Sequence, residues 1–247
     1  MKSCYRFNLG QLGCCYTGRG LGSFTFARAR REDVLASYRR LEEATGISPD
    51  RIVRANLDNG LKVARVREGD AGRGVLREPG HLQGVDAIYT NVPNLYISLS
   101  TADCFSLVLY DRRHQAVGIA HCGWRGIAGR LEEKLLQAMI TDFGTESPDV
   151  LAVIGPGIQA CCYFQHDDGL RNAFADYSNL ALIKEQQDGT YSIDIALVLR
   201  ANLTSLGITA VVDTKLCTGC NHDFYSARRE GFATGRLLNL AAVTNKL

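Results

Sequence analysis

Two side chains that can do chemistry stand at the ends of neighbouring apolar runs. Cys104 follows an acidic residue at the end of one run, and His121 ends the next run. Their separation fits two adjacent strands joined by a turn, which would bring both side chains to the same sheet edge. A thiolate beside an imidazole serves as a nucleophile, and the same two groups also ligate zinc. The spacing therefore predicts a Cys-His site; the alternative is a buried thiol and a histidine with a purely structural hydrogen bond.

The segments around this pair predict strands and helices in alternation. Short β-favouring runs between positions 95 and 121, with a polar turn at 111–115, predict two or three neighbouring strands. A helix is predicted to end near Gly144, followed by a buried strand at VLAVIGPGI. Further helices are predicted over 32–46 and 192–207, each closing on a glycine. This order predicts mixed α/β layers around one core.

The segment from Asn56 to Gly84 is rich in turn signals. It holds Asn59-Gly60, then GDAGRG and REPG, with only short extended pieces such as 62–66 between them. Glycine, proline and asparagine in this density are typical of turns and loops. We therefore expect a hairpin followed by an irregular loop.

Composition limits the class of protein. A chain of 247 residues without a break in composition is expected to form a single domain over 1–247. The net charge of +2 implies no nucleic-acid partner. No apolar run approaches the length of a membrane span, and the N-terminal residues lack the pattern of a secretion signal, so we expect no membrane partner and a cytoplasmic location. In that compartment the nine cysteines are expected to be mostly reduced.

Four motifs, in order and spacing, resemble signatures of the YfiH family. They are TADC at 101–104, GIAHCGWRG at 118–126, IGPGIQACCY at 154–163 and CTGCNHDFYSARREGFATGR at 217–236. The resemblance implies an α/β fold, a single-domain mixed-sheet layered sandwich related to cysteine-hydrolase-like toxins. Of the names used for this family, multicopper polyphenol oxidase implies copper, but two or three ligands at one site cannot build a multicopper cluster. The other name that the resemblance implies is purine nucleoside phosphorylase.

The resemblance also implies one zinc ion held by His, Cys and His. The family Cys falls on Cys104 and its second His on His121. The first family His belongs to a QVHG-like motif, and aligning that motif with ANLDNGLKVARV puts Asn59 in its position. Neutral Asn is a poor zinc ligand, and the nearby substitutes are Asp58 and His81. We therefore expect a zinc site at Cys104 and His121 that is impaired by the loss of the first His.

The function implied by the resemblance is a zinc-dependent purine nucleoside phosphorylase or an adenosine deaminase-type enzyme, with a purine nucleoside and phosphate as substrates. Cys104 and His121 would be metal ligands, and an activated water or phosphate would attack. Two alternatives stay open. One is a metal-free Cys-His amidohydrolase of the type that edits peptidoglycan precursors, in which Cys104 attacks an amide and His121 relays the proton. The other is a catalytically dead paralogue that acts as a binding protein, which the Asn59 exchange favours.

Other polar residues in these motifs are candidates for substrate binding. Arg125, Arg228 and Arg236 carry planar guanidinium groups suited to clamping a phosphate or carboxylate, and Ser226 adds a hydroxyl. The alternative for the arginines is a surface or structural role.

The remaining signals in these motifs indicate packing. Cys217 and Cys220 form a single CxxC pair beside His222, without the second pair that a structural zinc site requires. Trp124 is expected to be a core anchor under the site.

Overall fold

The protein is described by a computed structural model that covers residues 2–27, 29–166, 168–180 and 183–244. Its strands are β1 (Cys4–Leu9), β2 (Leu12–Thr17), β3 (Ile52–Arg54), β4 (Val63–Arg65), β5 (Ala87–Thr90), β6 (Tyr96–Thr101), β7 (Phe105–Asp111), β8 (Ala116–Cys122), β9 (Val150–Ile154), β10 (Phe164–Gln165), β11 (Ile183–Glu185), β12 (Tyr191–Ile193), β13 (Ala210–Asp213) and β14 (Leu237–Val243). Its α-helices are α1 (Arg31–Thr45), α2 (Trp124–Ala128), α3 (Leu131–Phe143), α4 (Asp168–Ala173), α5 (Ile195–Ser205) and α6 (Ala227–Glu230).

Two large mixed sheets form the centre of the fold. One has the strand order β1-β2-β14-β6-β3, and the other has the order β13-β9-β7-β8-β5-β4. Buried side chains of both sheets share one cluster, with Ile97 and Leu99 from the first sheet and Val108 and Ile119 from the second. β7 and β8 are buried along their whole length, which is why their sequences are nearly continuous apolar runs. The mixed-sheet layered α/β sandwich expected from the resemblance is confirmed.

Helices cover the outer faces of this pair of sheets. In α1, Val34, Tyr38 and Leu41 lie on one face and pack against β14 of the five-stranded sheet. The helix stops where Gly46 adopts a left-handed conformation with φ 75°, which ends it as the sequence predicts. α3 and α5 cover the six-stranded sheet, and α3 approaches β8 so closely that a side chain on Gly118 would collide with Leu135.

One predicted helix begins later than its pattern suggested. α5 starts at Ile195, because the carboxylate of Asp194 accepts a hydrogen bond of 3.0 Å from the backbone N–H of Leu197 and caps the helix. Ser192, the expected start, lies in β12 and pairs with Phe164 and Lys184. This strand forms a small sheet of order β10-β12-β11.

One expectation about strand neighbours was wrong, and another is met by only two of its three strands, β7 and β8. β4 forms no hairpin, because it pairs in parallel with β5 after a long loop, and parallel pairing requires such a connection. β6 and β7 follow one another in sequence but belong to different sheets. The chain crosses between them at Asp103, whose φ of 82° is unusual for a residue with a side chain.

None of the helices within the described ranges is long and apolar enough to span a bilayer. That residues 1–247 form a single domain stays a prediction.

Candidate active site

The structure brings Cys104 and His121 to one end of the six-stranded sheet. β7 and β8 are antiparallel neighbours, and Ser106 lies opposite His121 in their register. Cys104 directly precedes β7 and therefore reaches the same end as His121. The hairpin predicted from their spacing is thus present, and the two side chains face one cavity.

Gly123 lets the thiol and the imidazole approach each other. A β-carbon built on Gly123 would lie 3.0 Å from Sγ of Cys104 and 3.7 Å from Nε2 of His121. Any side chain here would press on the sulfur, because 3.0 Å is shorter than ordinary contact between these atoms. The glycine that follows the second motif's His-Cys pair therefore has a local steric reason.

A buried carboxylate, which the sequence analysis did not identify, orients the imidazole. Oδ1 of Asp86 lies 2.9 Å from Nδ1 of His121, which leaves Nε2 directed towards Cys104 and the cavity. The Asp86 carboxylate also accepts hydrogen bonds from the backbone N–H groups of Asp58, Asn59 and Gly60, at 3.1, 3.0 and 2.9 Å. Asp86 thus fixes both the ring and the turn beside it. An acidic residue directly before an apolar run, as in VDAIY, was the available signal.

The charged forms of Asp86 and His121 stabilise each other. Burial opposes ionisation of Asp86, but hydrogen bonds from His121 and from the amides of Gly60 and Asp58 outweigh it and hold the pKa of the carboxyl below its usual range. Burial also works against a charged His121, yet the neighbouring Cys104 sulfur and the Asp86 carboxylate raise the pKa of the imidazole well above its usual value. The arrangement favours a proton on the ring of His121 beside the ionised Asp86 carboxylate.

The cavity at this end of the sheet has a volume of about 620 Å³, which is in the range of small-molecule sites. Three aromatic rings, those of Trp124, Tyr163 and Phe232, contribute to its wall. Phe232 is 78 % exposed, although large apolar side chains are usually covered, and it stands at the rim. Trp124 lines the cavity as well as packing against the core, so it is more than an anchor beneath the site.

Two of the four predicted substrate-binding residues line this cavity. They are Arg125, whose guanidinium carbon lies 4.4 Å from the ring centre of Trp124, and Arg228, which lies 5.0 Å from that of Tyr163. The guanidinium of Arg228 also donates to the backbone carbonyl of Phe164. Both cations are therefore held by neighbours at the cavity wall.

The structure places the other two residues elsewhere. Ser226 is buried, caps α6 and accepts a hydrogen bond of 3.2 Å from the N–H of Arg229. Arg236 donates to the backbone carbonyls of Thr234 and Gly235, at 2.7 and 3.0 Å. Neither is among the residues that line the cavity. Their polar groups serve local structure, which their sequence positions alone did not reveal.

The described residues do not complete the His-Cys-His zinc set. Asn59 does lie on the cavity wall with Cys104 and His121, in a left-handed conformation with φ 57°. Asp58 and His81 do not line the cavity, and His81 lies 3.8 Å from a carboxylate oxygen of Asp70 instead. Catalytic zinc sites have three protein ligands, so two donors and an amide are a poor fit.

A different group of side chains satisfies the geometry of a metal site. The sulfur atoms of Cys161, Cys162, Cys217 and Cys220 all lie within 4.8 Å of one another. Within the described ranges this is the one cluster of at least three His, Cys, Asp or Glu ligand atoms close enough to share an ion. The second pair that the CxxC motif lacked in the sequence is thus the adjacent pair Cys161-Cys162.

Several known proteins and one family model are similar to this chain in sequence. A family model described as multi-copper polyphenol oxidoreductase laccase matches residues 22–244. A purine nucleoside phosphorylase of Bacteroides thetaiotaomicron is 35% identical over 165 residues, 64% of this chain and 60% of that protein. The purine nucleoside phosphorylase YlmD of Geobacillus stearothermophilus is 31% identical over 84% of this chain and 78% of its own length. The adenosine deaminase RL5 of an unknown prokaryotic organism is 29% identical over 90% of this chain and 85% of its own length.

Among solved structures, the YfiH protein of Bacillus licheniformis superposes with a TM-score of 0.87 at 26% identity. The match covers 94% of this chain and 93% of that one. The YfiH-like fold expected from the four motifs is therefore confirmed.

Proposed function

Because the chain belongs to the multi-copper polyphenol oxidoreductase laccase family, the YfiH family of the motifs above, we propose that it is an enzyme acting on purine nucleosides. Its site is the cavity that holds Cys104 and His121. One observation carries the proposal: a thiol, an imidazole and a buried carboxylate stand in succession and open onto a cavity of small-molecule size. The names of two relatives, a phosphorylase and a deaminase, supply the substrate class.

The cavity wall offers partners for each part of a nucleoside and a phosphate. The rings of Tyr163, Trp124 and Phe232 are suited to stacking on a purine. The guanidinium groups of Arg125 and Arg228 are suited to holding an anion, because their planar forks match phosphate oxygens. The two cations favour phosphorolysis, in which phosphate replaces the base at the sugar carbon.

In that reaction His121 acts as the proton donor. Its Nδ1 is held by Asp86, so the proton on Nε2 is directed into the cavity, where it can pass to the departing purine. The phosphate oxygen forms the new bond to the sugar carbon as the bond to the purine nitrogen breaks. Cys104 stabilises the protonated ring, and its place on the cavity wall would bring its sulfur into contact with the bound substrate.

Zinc at this site is implied by the family resemblance alone, and no step of this mechanism uses it. The Asn59 exchange leaves two strong donors, and we propose that it weakens zinc binding at Cys104 and His121. Asn59 already lies on the cavity wall in a conformation that histidine also tolerates. Asn59→His should therefore raise the zinc content by about one ion per chain, measured by elemental analysis. Unchanged zinc in a folded variant would contradict the assignment of Asn59 to the missing ligand position.

A second candidate function is favoured by the same three side chains. The side chains of Cys104, His121 and Asp86 lie in the spatial order that a thiol hydrolase uses. In such an enzyme the sulfur attacks a carbonyl or ring carbon, and the histidine gives its proton to the leaving nitrogen. Water then releases the acyl or purine product from the sulfur. This chemistry fits a metal-free amidohydrolase, and it also fits loss of ammonia from adenosine.

The test is turnover of inosine and adenosine by purified protein, with and without phosphate. Free base, sugar phosphate and ammonia are measured separately. We expect phosphate-dependent release of base, lost in Cys104→Ala and in His121→Ala and retained in Cys4→Ala, a partly exposed cysteine outside the cavity. Ammonia without phosphate would favour the thiol hydrolase. Nucleoside binding without any turnover by the wild type would contradict the proposal in favour of an inactive binding protein.

A further inference from the structure

The four-cysteine cluster defined above, Cys161, Cys162, Cys217 and Cys220, lies outside the reacting groups of the cavity. We propose that it is a second and separate metal site, which holds one tetrahedral zinc ion. The proposal does not depend on the substrate proposed above, because it rests on sulfur geometry and backbone contacts alone.

The sulfur separations are those of a tetrahedral thiolate site. Cys161 lies 3.9, 3.6 and 3.4 Å from Cys162, Cys217 and Cys220, and Cys162 lies 3.3 Å from Cys220. Four sulfurs bonded to one ion at about 2.3 Å must stand about 3.8 Å apart. Zinc prefers four-coordinate sites with thiolate ligands, and a closed set of four is characteristic of structural zinc.

The backbone explains how two adjacent cysteines point to one centre. Residues 159–163 form a tight turn, in which the N–H groups of Cys162 and Tyr163 both donate to the carbonyl of Gln159, at 2.9 and 3.1 Å. On a turn, unlike on a strand, successive side chains can face the same side. The second pair comes from Cys217 and Cys220, whose two-residue spacing is the usual one for zinc.

Close contacts hold the two halves of the site together. Gly157 forms a parallel bridge with Cys217, and the N–H of Gln159 lies 3.5 Å from Sγ of Cys217, as in hydrogen bonds that stabilise a thiolate. A β-carbon on Gly219 would lie 2.5 Å from Cβ and 2.8 Å from Sγ of Cys162. Only glycine permits this approach, so the residue between the two ligands of the CTGC motif is also explained by the site.

The side chain of Arg229 holds the backbone between the two ligands of the CTGC motif. Four thiolates and one zinc ion carry a net charge of −2, by simple addition of their formal charges. The guanidinium of Arg229 donates to the carbonyls of Thr218 and Gly219, between the two ligands of the motif, at 2.8 Å each. Arg229 also pairs with Glu230 at 2.7 Å, so it fixes the backbone between the two ligands and offsets little of this charge.

The site fastens two segments that form the wall of the cavity. Tyr163 follows Cys162 directly, and Arg228 follows Cys220 in the last motif; both line the cavity. Thr218, between the two ligands of that motif, donates to Asp103 at 2.6 Å, and Asp103 adjoins Cys104. Zinc in the cluster would thus fix the wall of the site without touching the substrate.

The test is metal analysis and zinc X-ray absorption on the wild-type protein, purified in reducing buffer with zinc supplied. We expect about one zinc per chain surrounded by four sulfurs at about 2.3 Å. Cobalt substitution should give the intense visible absorption of a tetrahedral thiolate complex. Zinc bound through one sulfur and nitrogen would overturn the proposal, as would zinc-free protein in which the four thiols remain reduced or form disulfides.

Variants locate the ion independently of the wild-type spectrum. Cys217→Ser/Cys220→Ser should lose the zinc and lower the melting temperature, whereas Cys4→Ser should retain both. Cys104→Ala should lose turnover and retain the zinc, so failure of this proposal and failure of the proposed function give different results. Zinc retained by the double variant would overturn the site, and the wild-type sulfur count decides the matter if that variant does not fold.

Discussion

The active-site cavity and the four-cysteine cluster use the same side chain in opposite ways. Cys104 has an imidazole beside it and open space in front, whereas each sulfur of the cluster faces other sulfurs. The first setting leaves the sulfur free to react, and the second leaves no open position once an ion is bound. The comparison teaches that neighbouring groups, rather than the residue type, decide what a cysteine does in this chain.

The largest effect on turnover should come from Asp86, because the cavity has a buried carboxylate and the four-cysteine cluster has none among its ligands. Asp86→Asn removes the charge that orients His121, so kcat should fall about 10²- to 10⁴-fold while zinc stays bound. Steady-state kinetics over a range of pH should also show a displaced profile, which a merely structural role would not produce.

The chain supplies a matched control for this variant. Asp111 is equally buried and lies 2.8 Å from Nδ1 of His114 in a second Asp-His pair, while also accepting from backbone N–H groups. Asp111→Asn should leave kcat unchanged. Equal losses in the two variants would mean that the fold, and not the orientation of His121, had been disturbed.

A buried carboxyl on α3, that of Glu132, should control how stability depends on pH. Burial raises the pKa of Glu132 to about 7, and Asn202 donates to it at 2.8 Å. Since the folded pKa exceeds the unfolded one, its contribution to stability is complete below about pH 4.3 and is lost as the pH rises through about 7.

Glu132→Gln should therefore be more stable than the wild type at pH 8, by about 3 kcal/mol at most, with the advantage vanishing near pH 4. Urea unfolding at several pH values measures this difference. If the variant also moved the pH profile of turnover, that profile could not be assigned to the Cys104 and His121 pair.

Gly123 in the cavity and Gly219 in the four-cysteine cluster allow the two regions to be compared by matched substitutions to alanine. Gly123→Ala places a methyl group 3.0 Å from the Cys104 sulfur, and Gly219→Ala places one 2.8 Å from the Cys162 sulfur. Each should cost about 1 to 3 kcal/mol at its own site. The first should lower turnover with zinc intact, and the second should lower zinc content and melting temperature more than turnover. The opposite pattern would reverse the roles given to the two regions.

The smallest effect is expected at the rim of the cavity. Phe232 is 78 % exposed, so Phe232→Ala should not change stability. It should raise the KM for a purine nucleoside about fivefold, because a stacked ring contributes about 1 kcal/mol. Leu76→Ala, at another exposed apolar residue, is the control and should leave KM unchanged.

Local patterns in the sequence predicted much of the fold and one half of the site. Apolar spacing identified α1 and α3, and two buried runs joined by a polar turn predicted the hairpin that carries Cys104 and His121. These features depend on neighbours along the chain, where periodicity is informative. The motif resemblance added the family and the layered sandwich.

Contacts between distant segments were not predictable in this way. Asp86 reaches His121 across 35 positions, and Cys161 meets Cys217 across 56. Contacts over such separations produce no periodic pattern in the sequence. A single CxxC pair does not indicate a metal site unless the second pair of ligands is known. Ser226 and Arg236 have the chemistry of ligands, but backbone groups nearby use that chemistry instead.

The position of β14 in its sheet has a consequence for synthesis of the protein. This strand, near the C-terminal end of the sequence, pairs with β2 on one side and β6 on the other, so it joins the N-terminal hairpin to the rest of the sheet. While the nascent chain is still emerging from the ribosome, both of those edges lack their partner, and unpaired edges invite association between chains. The five-stranded sheet can therefore be completed only after translation has delivered residues 237–243.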